Sequence, residues 1–274
     1  MRGNETPFWP ADWADPSRMR AVKPRRTGLT MVIDKGIGTR EFHDLLELAG
    51  EYIDVYKLGF GTSALYPVPI LQEKLELARA HHVTIMPGGT FYEVACQDAP
   101  VESYLARLQA LGFNGIEISD GTLSISRDER TQAIARAAES GLTVFTEYGK
   151  KTAGFQAEVD ELAATLEADL AAGASYVIVE ARESGNVGVY DRQGEVDSSF
   201  LSAISSRLGS NANRLIWEAP RKEQQVALLT ALGLDVNLGN IAATDVLALE
   251  ALRRGLRGDT TRLALEGRSK PACE

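Results

Sequence analysis

Short apolar runs rich in β-branched residues recur at 29–34, 52–58, 83–86, 115–119, 143–148, 176–180, 215–218 and 235–238. Runs of that length between turn residues predict eight buried strands. Between most of them the apolar positions return every three to four residues, over 41–49, 71–80, 101–111, 127–139, 158–171 and 223–232, which predicts amphipathic helices. Ser126 with Glu129 forms a capping-box pattern at one helix start. Gly50, Gly112, Gly141, Gly173 and Gly233 stand where helices should end, because glycine tolerates the left-handed conformation that closes them.

Successive strand starts are 20 to 39 residues apart, room for one crossover helix each, and no shift of composition divides the series. The alternation fits a closed barrel or an open doubly wound sheet. No GxGxxG follows the first strand and no Walker lysine motif occurs, which favours the barrel. The expected architecture is α/β: a single eight-stranded parallel β/α (TIM) barrel over 29–260, an N-terminal arm over 1–28 and a C-terminal tail over 261–274.

Composition narrows the partners. The 274 residues are 44% hydrophobic and 24% charged, enough apolar material for a core without disulfides or structural metal. A net charge of -9 argues against nucleic acid, which needs clustered cations. Cys96 and Cys273 have no metal or redox spacing. Asp12 and Asp15 interrupt the place of a signal peptide, and no run of about 18 apolar residues offers a membrane span, so a cytoplasmic protein is expected. The basic run 23–26 reads as a solvated turn. The arm with Trp9 and Trp13 is expected to cover the barrel floor or to pack on a second copy in a homo-oligomer.

Chemistry gathers at the strand exits, where barrel active sites form. They read DKG at 34–36, KLGFGT at 57–62, PGGT at 87–90, EISDG at 117–121, EYGKK at 147–151, EARESG at 180–185, EAP at 218–220 and NLGN at 237–240. In a barrel these converge as at least four carboxylates, three lysines and Arg182. His43, His81 and His82 fall in helices or at the opposite end, which removes histidine catalysis and a histidine zinc site and leaves Lys, Asp and Glu. Carboxylates beside cations suit Mg²⁺ and an anionic substrate. The Gly239-Asn240 turn, leading through Thr244 into the last helix, either binds phosphate on its amides or simply caps that helix.

Taken together, the exits, with WEAP at 217–220, NLGNI at 237–241 and LRRGLRGDT at 252–260, resemble the phosphosulfolactate synthase family from about residue 29 to residue 260. The resemblance implies a carbon–sulfur lyase in a β/α barrel that adds sulfite to phosphoenolpyruvate with Mg²⁺, as in coenzyme M biosynthesis. It also implies an acid lysine, matched here by Lys150 in EYGKK. Lys35, Lys57 and Arg182 complete the catalytic candidates, with Arg182 as an oxyanion clamp.

Metal ligands are expected among Glu117, Asp120, Glu147, Glu180 and Glu218, more carboxylates than Mg²⁺ usually takes from protein. Substrate contacts are expected from Gly89, Thr90, Ser119, Asn237, Gly239 and Asn240. Lys35, Lys57 and Lys151 should push the Lys150 ammonium toward neutrality while nearby carboxylates oppose them. Three other readings share the barrel: a different nucleophile or acceptor, a Schiff-base aldolase using Lys57 or Lys150, and a non-catalytic stress-related member of the family.

Overall fold

The computed structural model describes residues 8–150, 155–181, 184–186, 188–191 and 193–267. Its strands are β1 (Thr30–Asp34), β2 (Val55–Leu58), β3 (Thr84–Pro87), β4 (Gly115–Ile118), β5 (Thr143–Tyr148), β6 (Tyr176–Val179), β7 (Leu215–Glu218) and β8 (Leu238–Ala242). They pair in parallel in the order β3-β2-β1-β8-β7-β6-β5-β4, so the first and last strands are neighbours in an eight-stranded barrel. At the β3/β4 seam, the Asn114 side chain stands in for ladder bonds. Its Oδ1 accepts from the Ile85 amide at 2.7 Å and its Nδ2 donates to the Val83 carbonyl at 3.2 Å. Gly115 permits the close approach, since a Cβ there would lie 2.7 Å from Cγ2 of Thr84.

The helices are α1 (Ala11–Ala14), α2 (Thr39–Ala49), α3 (Val68–Ala80), α4 (Gly89–Ala95), α5 (Val101–Leu111), α6 (Arg127–Glu139), α7 (Val159–Ala172), α8 (Ser198–Leu208), α9 (Lys222–Leu232), α10 (Val246–Arg253) and α11 (Thr261–Gly267). The Ser126–Glu129 capping box forms at α6. Gly112, Gly141, Gly173 and Gly233 take positive φ, whereas Gly50 does not, because α2 runs on into a 3₁₀ turn. Helix α8 escapes the sequence reading: serines, which weaken the helical signal, fill much of 198–208, and its start is marked by Asp197 accepting from the Ser199 and Phe200 amides.

Side-chain alternation along the strands positions the site. Val55, Phe145, Ile178 and Ile216 point into the barrel and form its floor with Leu29, Met31 and Met86. Two residues further along the same strands stand Lys57, Glu147, Glu180 and Glu218, which a period of two must deliver to the same interior one layer higher. The intervening residues, such as Tyr56, Val179 and Trp217, face the helices.

The last strand departs from expectation. It begins at Leu238, not at 235, so Asn237 sits at the floor end, away from the residues that line the mouth. Its Oδ1 accepts from the Leu29 amide at 3.0 Å and its Nδ2 donates to the Asn213 and Leu215 carbonyls at 2.8 and 3.0 Å. Gly239 lies within the strand over the floor, where a Cβ would come within 2.5 Å of Met31 Cε. The register against β1 shifts between Thr30 and Val32, opposite the one extra residue of a bulge that contains Asn240 at φ 54°. Gly239 and Asn240 thus lie within the strand itself, and the turn that opens α10 is the 3₁₀ turn Ala243–Asp245.

The arm lies under the barrel floor. Lys23 Nζ donates to the carbonyls of Gly50, Ile53 and His81. Arg20 pairs with Glu250 at 3.0 Å and Arg25 with Asp54 at 3.4 Å. Trp9 and Trp13 stack at 6.4 Å and remain largely exposed. Beyond α10, the buried Ala264 seats α11 against the barrel. No helix among the described residues is long and apolar enough to cross a membrane.

Candidate active site

The strand exits surround a cavity of about 590 Å³ lined by Lys57, Glu117, Glu147, Glu180, Glu218 and Asn240, with Gly88, Gly89, Thr90, Phe60 and Ser184 toward its rim. The four glutamates are between 0% and 3% exposed. Lys57 Nζ donates to Glu117 Oε1 at 2.9 Å and to Glu218 Oε1 at 3.3 Å. Burial on its own would lower the Lys57 ammonium, but Glu117, Glu218, Glu147 and Glu180 outweigh it and hold the group well above the ordinary lysine value. Lys57 is therefore a fixed positive charge at neutral pH.

Opposite Lys57, one carboxylate oxygen from each of Glu147, Glu180 and Glu218 lies within 4.8 Å of the others, the grouping a metal ion would need. Glu218 is oriented by the Ala181 amide, which donates to its Oε2 at 3.0 Å, and by Tyr190, whose hydroxyl donates to the Glu218 carbonyl at 2.7 Å. The side chain of Asp120 does not join this group. It faces a separate cavity of about 260 Å³, bound by Arg130 Nη1 at 3.1 Å and Lys150 Nζ at 2.9 Å.

Lys150 lines that second cavity as well, and Glu147 is common to both. Of the lysines expected to crowd Lys150, Lys57 sits in the first cavity and Lys35 reaches over the Phe60 ring at 6.0 Å. Lys151 and Arg182 lie outside the described residues. The loop that carries Lys35 is held by buried Asp34, which accepts from the Gly36 and Ile37 amides at 2.6 and 2.9 Å and pairs with buried Lys74.

Ser119 turns away from the mouth and donates to Glu93 of α4, which also accepts from the Thr122 and Leu123 amides. It braces the exit of β4 through Glu93. Gly89 is required there: a Cβ would fall 2.6 Å from Ser119 Cβ and 3.1 Å from Glu117 Cγ. Asn240 contributes a buried Oδ1 without a hydrogen-bond partner among the described residues. The sequence reading missed Glu93, Lys74 and Arg130 because they lie on helices; their only signal is a charge on a helix face that would otherwise be apolar.

A TIM barrel whose mouth holds a lysine among buried glutamates has the layout of a barrel enzyme acting on small substrates. A family model described as (2R)-phospho-3-sulfolactate synthase (ComA) matches residues 18–259, and the chain belongs to that family. It is 43% identical over 244 residues to the phosphosulfolactate synthase of Methanothermobacter thermautotrophicus, covering 88% of this chain and 94% of that one. To the phosphosulfolactate synthase of Bacillus subtilis it is 38% identical over 244 residues, covering 88% and 95%.

Among solved structures, a 3-hexulose-6-phosphate synthase (TM-score 0.52, 16% identity, covering 81% of this chain and 98% of that one) shares the fold. So does the YdjI aldolase of Escherichia coli K12 (TM-score 0.53, 14% identity, covering 89% and 86%).

Proposed function

We propose that the chain adds sulfite to phosphoenolpyruvate, forming (R)-2-phospho-3-sulfolactate, with Mg²⁺ in the mouth. The observation that carries the reading is Lys57 held charged among four buried glutamates, in a chain whose curated relatives are phosphosulfolactate synthases. The donor set of Glu147, Glu180 and Glu218 is hard and all-oxygen, which suits Mg²⁺. Bound there, Mg²⁺ would supply Lewis-acid stabilisation of negative charge on the substrate carboxylate.

In the addition, the sulfur lone pair forms a C–S bond at the terminal methylene carbon. The double-bond electrons move toward the carboxylate, and a proton is then needed on the phosphate-bearing carbon. Lys57 adds a permanent positive charge to the field around that carboxylate. Lys150, which lines the second cavity together with Glu147, is the proton donor in this reading, and Arg182 and Lys35 bind the oxyanions. A Schiff base through Lys57 fits less well, because that chemistry needs a neutral amine and the glutamates keep this one protonated.

The test is phosphoenolpyruvate consumption by the purified protein with sulfite and Mg²⁺, with the product read by mass spectrometry. An adduct of the sulfolactate mass that disappears with chelator supports the reading. No consumption in the presence of both substrates and Mg²⁺ overturns it.

A further inference from the structure

Arg130 lies on α6, outside the mouth, yet its guanidinium joins α7 to two segments that carry site residues. Its Nε and Nη2 grip the Asp169 carboxylate of α7 at 3.1 and 2.6 Å. Nη1 donates to Asp120 Oδ1, just past β4, at 3.1 Å, and Nη2 also donates to the Glu147 carbonyl on β5 at 3.0 Å. The remaining oxygen of Asp120, Oδ2, accepts from Lys150 Nζ at 2.9 Å, and the Asp120 carbonyl accepts from the same ammonium at 2.8 Å.

The arrangement is more than a helix–helix staple. Asp169 and Arg130 are buried and fixed by a two-point grip, whereas the Asp120 and Lys150 side chains are 25% and 42% exposed. A lysine on a four-carbon stem samples many rotamers unless something holds its ammonium. Here that hold is Asp120, and Asp120 is in turn fixed by the buried guanidinium. The same guanidinium pins the backbone at Glu147, the residue common to both cavities.

We infer that Arg130 is a positioning residue for the reaction, placing the Lys150 ammonium through Asp120 while touching no substrate. The inference rests on Lys150 as proton donor. It requires a planar fork, because a single ammonium at this position cannot reach Asp169, Asp120 and the Glu147 carbonyl together.

Turnover with phosphoenolpyruvate, sulfite and Mg²⁺ is compared for Arg130→Lys, Lys150→Met and the double variant, with thermal melting of each. Arg130→Lys should lower kcat by roughly ten- to a hundredfold, as misplacement of a reacting group does, and leave KM for phosphoenolpyruvate within about twofold. The double variant should turn over no more slowly than Lys150→Met, since a residue acting through Lys150 has nothing left to position. If the two factors multiply, or if KM rises while kcat holds, Arg130 supports the fold generally and the inference fails with Lys150 still the donor. Wild-type turnover by Lys150→Met removes the donor itself and the inference with it. Should Arg130→Lys fail to fold, Asp120→Asn replaces it: the substitution cuts the link between the two cations and keeps the Asp169 grip, and multiplied factors again overturn the inference.

Discussion

Lys57 Nζ stands 2.9 Å from Glu117 Oε1, with the lysine side chain 8% exposed and the glutamate side chain 0%. Neither charge is tolerable there alone, since breaking a buried pair leaves its partner desolvated and uncompensated. Lys57→Met should therefore cost about 3–5 kcal/mol of stability and abolish turnover. Adding Glu117→Gln should recover part of the loss, because it removes one stranded carboxylate. Thermal melting of the single and double variants checks this, and a single variant that melts with the wild type would contradict the coupling.

Phe60 combines three properties that rarely coincide: a bulky side chain, φ of 56° and 56% exposure, all at the rim of the mouth. Left-handed backbone costs a residue of this kind about 1–2 kcal/mol, and an exposed ring returns little of it through packing. Phe60→Gly should leave stability unchanged or raise it by up to about 1 kcal/mol while lowering kcat/KM. Melting and steady-state kinetics on the same preparation separate the two effects; a variant with lower stability and full kcat/KM would make Phe60 a structural residue.

Asn237 makes the opposite case. Its side chain joins β1 to the turn before β7 and to β7 itself, at the end of the barrel away from the mouth. Asn237→Ala leaves the Leu29 amide and the Leu215 carbonyl without these partners, a cost of about 1–3 kcal/mol for each buried group left unsatisfied. Denaturant unfolding should register that loss while KM and kcat at permissive temperature stay near wild type. A selective rise in KM would return Asn237 to the substrate site.

Burial pushes the Lys23 ammonium down to about 8, against the upward pull of Asp54 and Glu51. Below that pH both folded and unfolded chains carry the proton, and the full cost of burying the charge is present. Between about 8 and 10.5 the unfolded chain binds more protons, so the contribution of this group to stability rises with pH. The melting difference between wild type and Lys23→Met should accordingly shift in favour of the wild type as pH rises from about 7.5 to about 10. A difference that does not change with pH would show that Lys23 is not titrating in this range.

The eight strands and the glutamates and Lys57 at their ends were legible in the sequence because both follow from local periodicity. A buried run of four to six residues announces a strand, and a period of two fixes which residue follows the floor residue into the mouth. Periodicity ends where register begins. The start of β8 moved from 235 to 238 because the ladder begins where Leu238 meets Thr30 of β1, a strand some two hundred residues away, and that leaves Asn237 at the floor end. Asp120 likewise shares a motif with Glu117, but leaves the glutamates because Arg130 and Lys150 approach it from other elements. The sequence by itself determined the barrel, the family and the layer in which the charged residues lie. Only the tertiary structure decided which charges neutralise one another, because an ion pair depends on distances between strands and helices that no local pattern encodes.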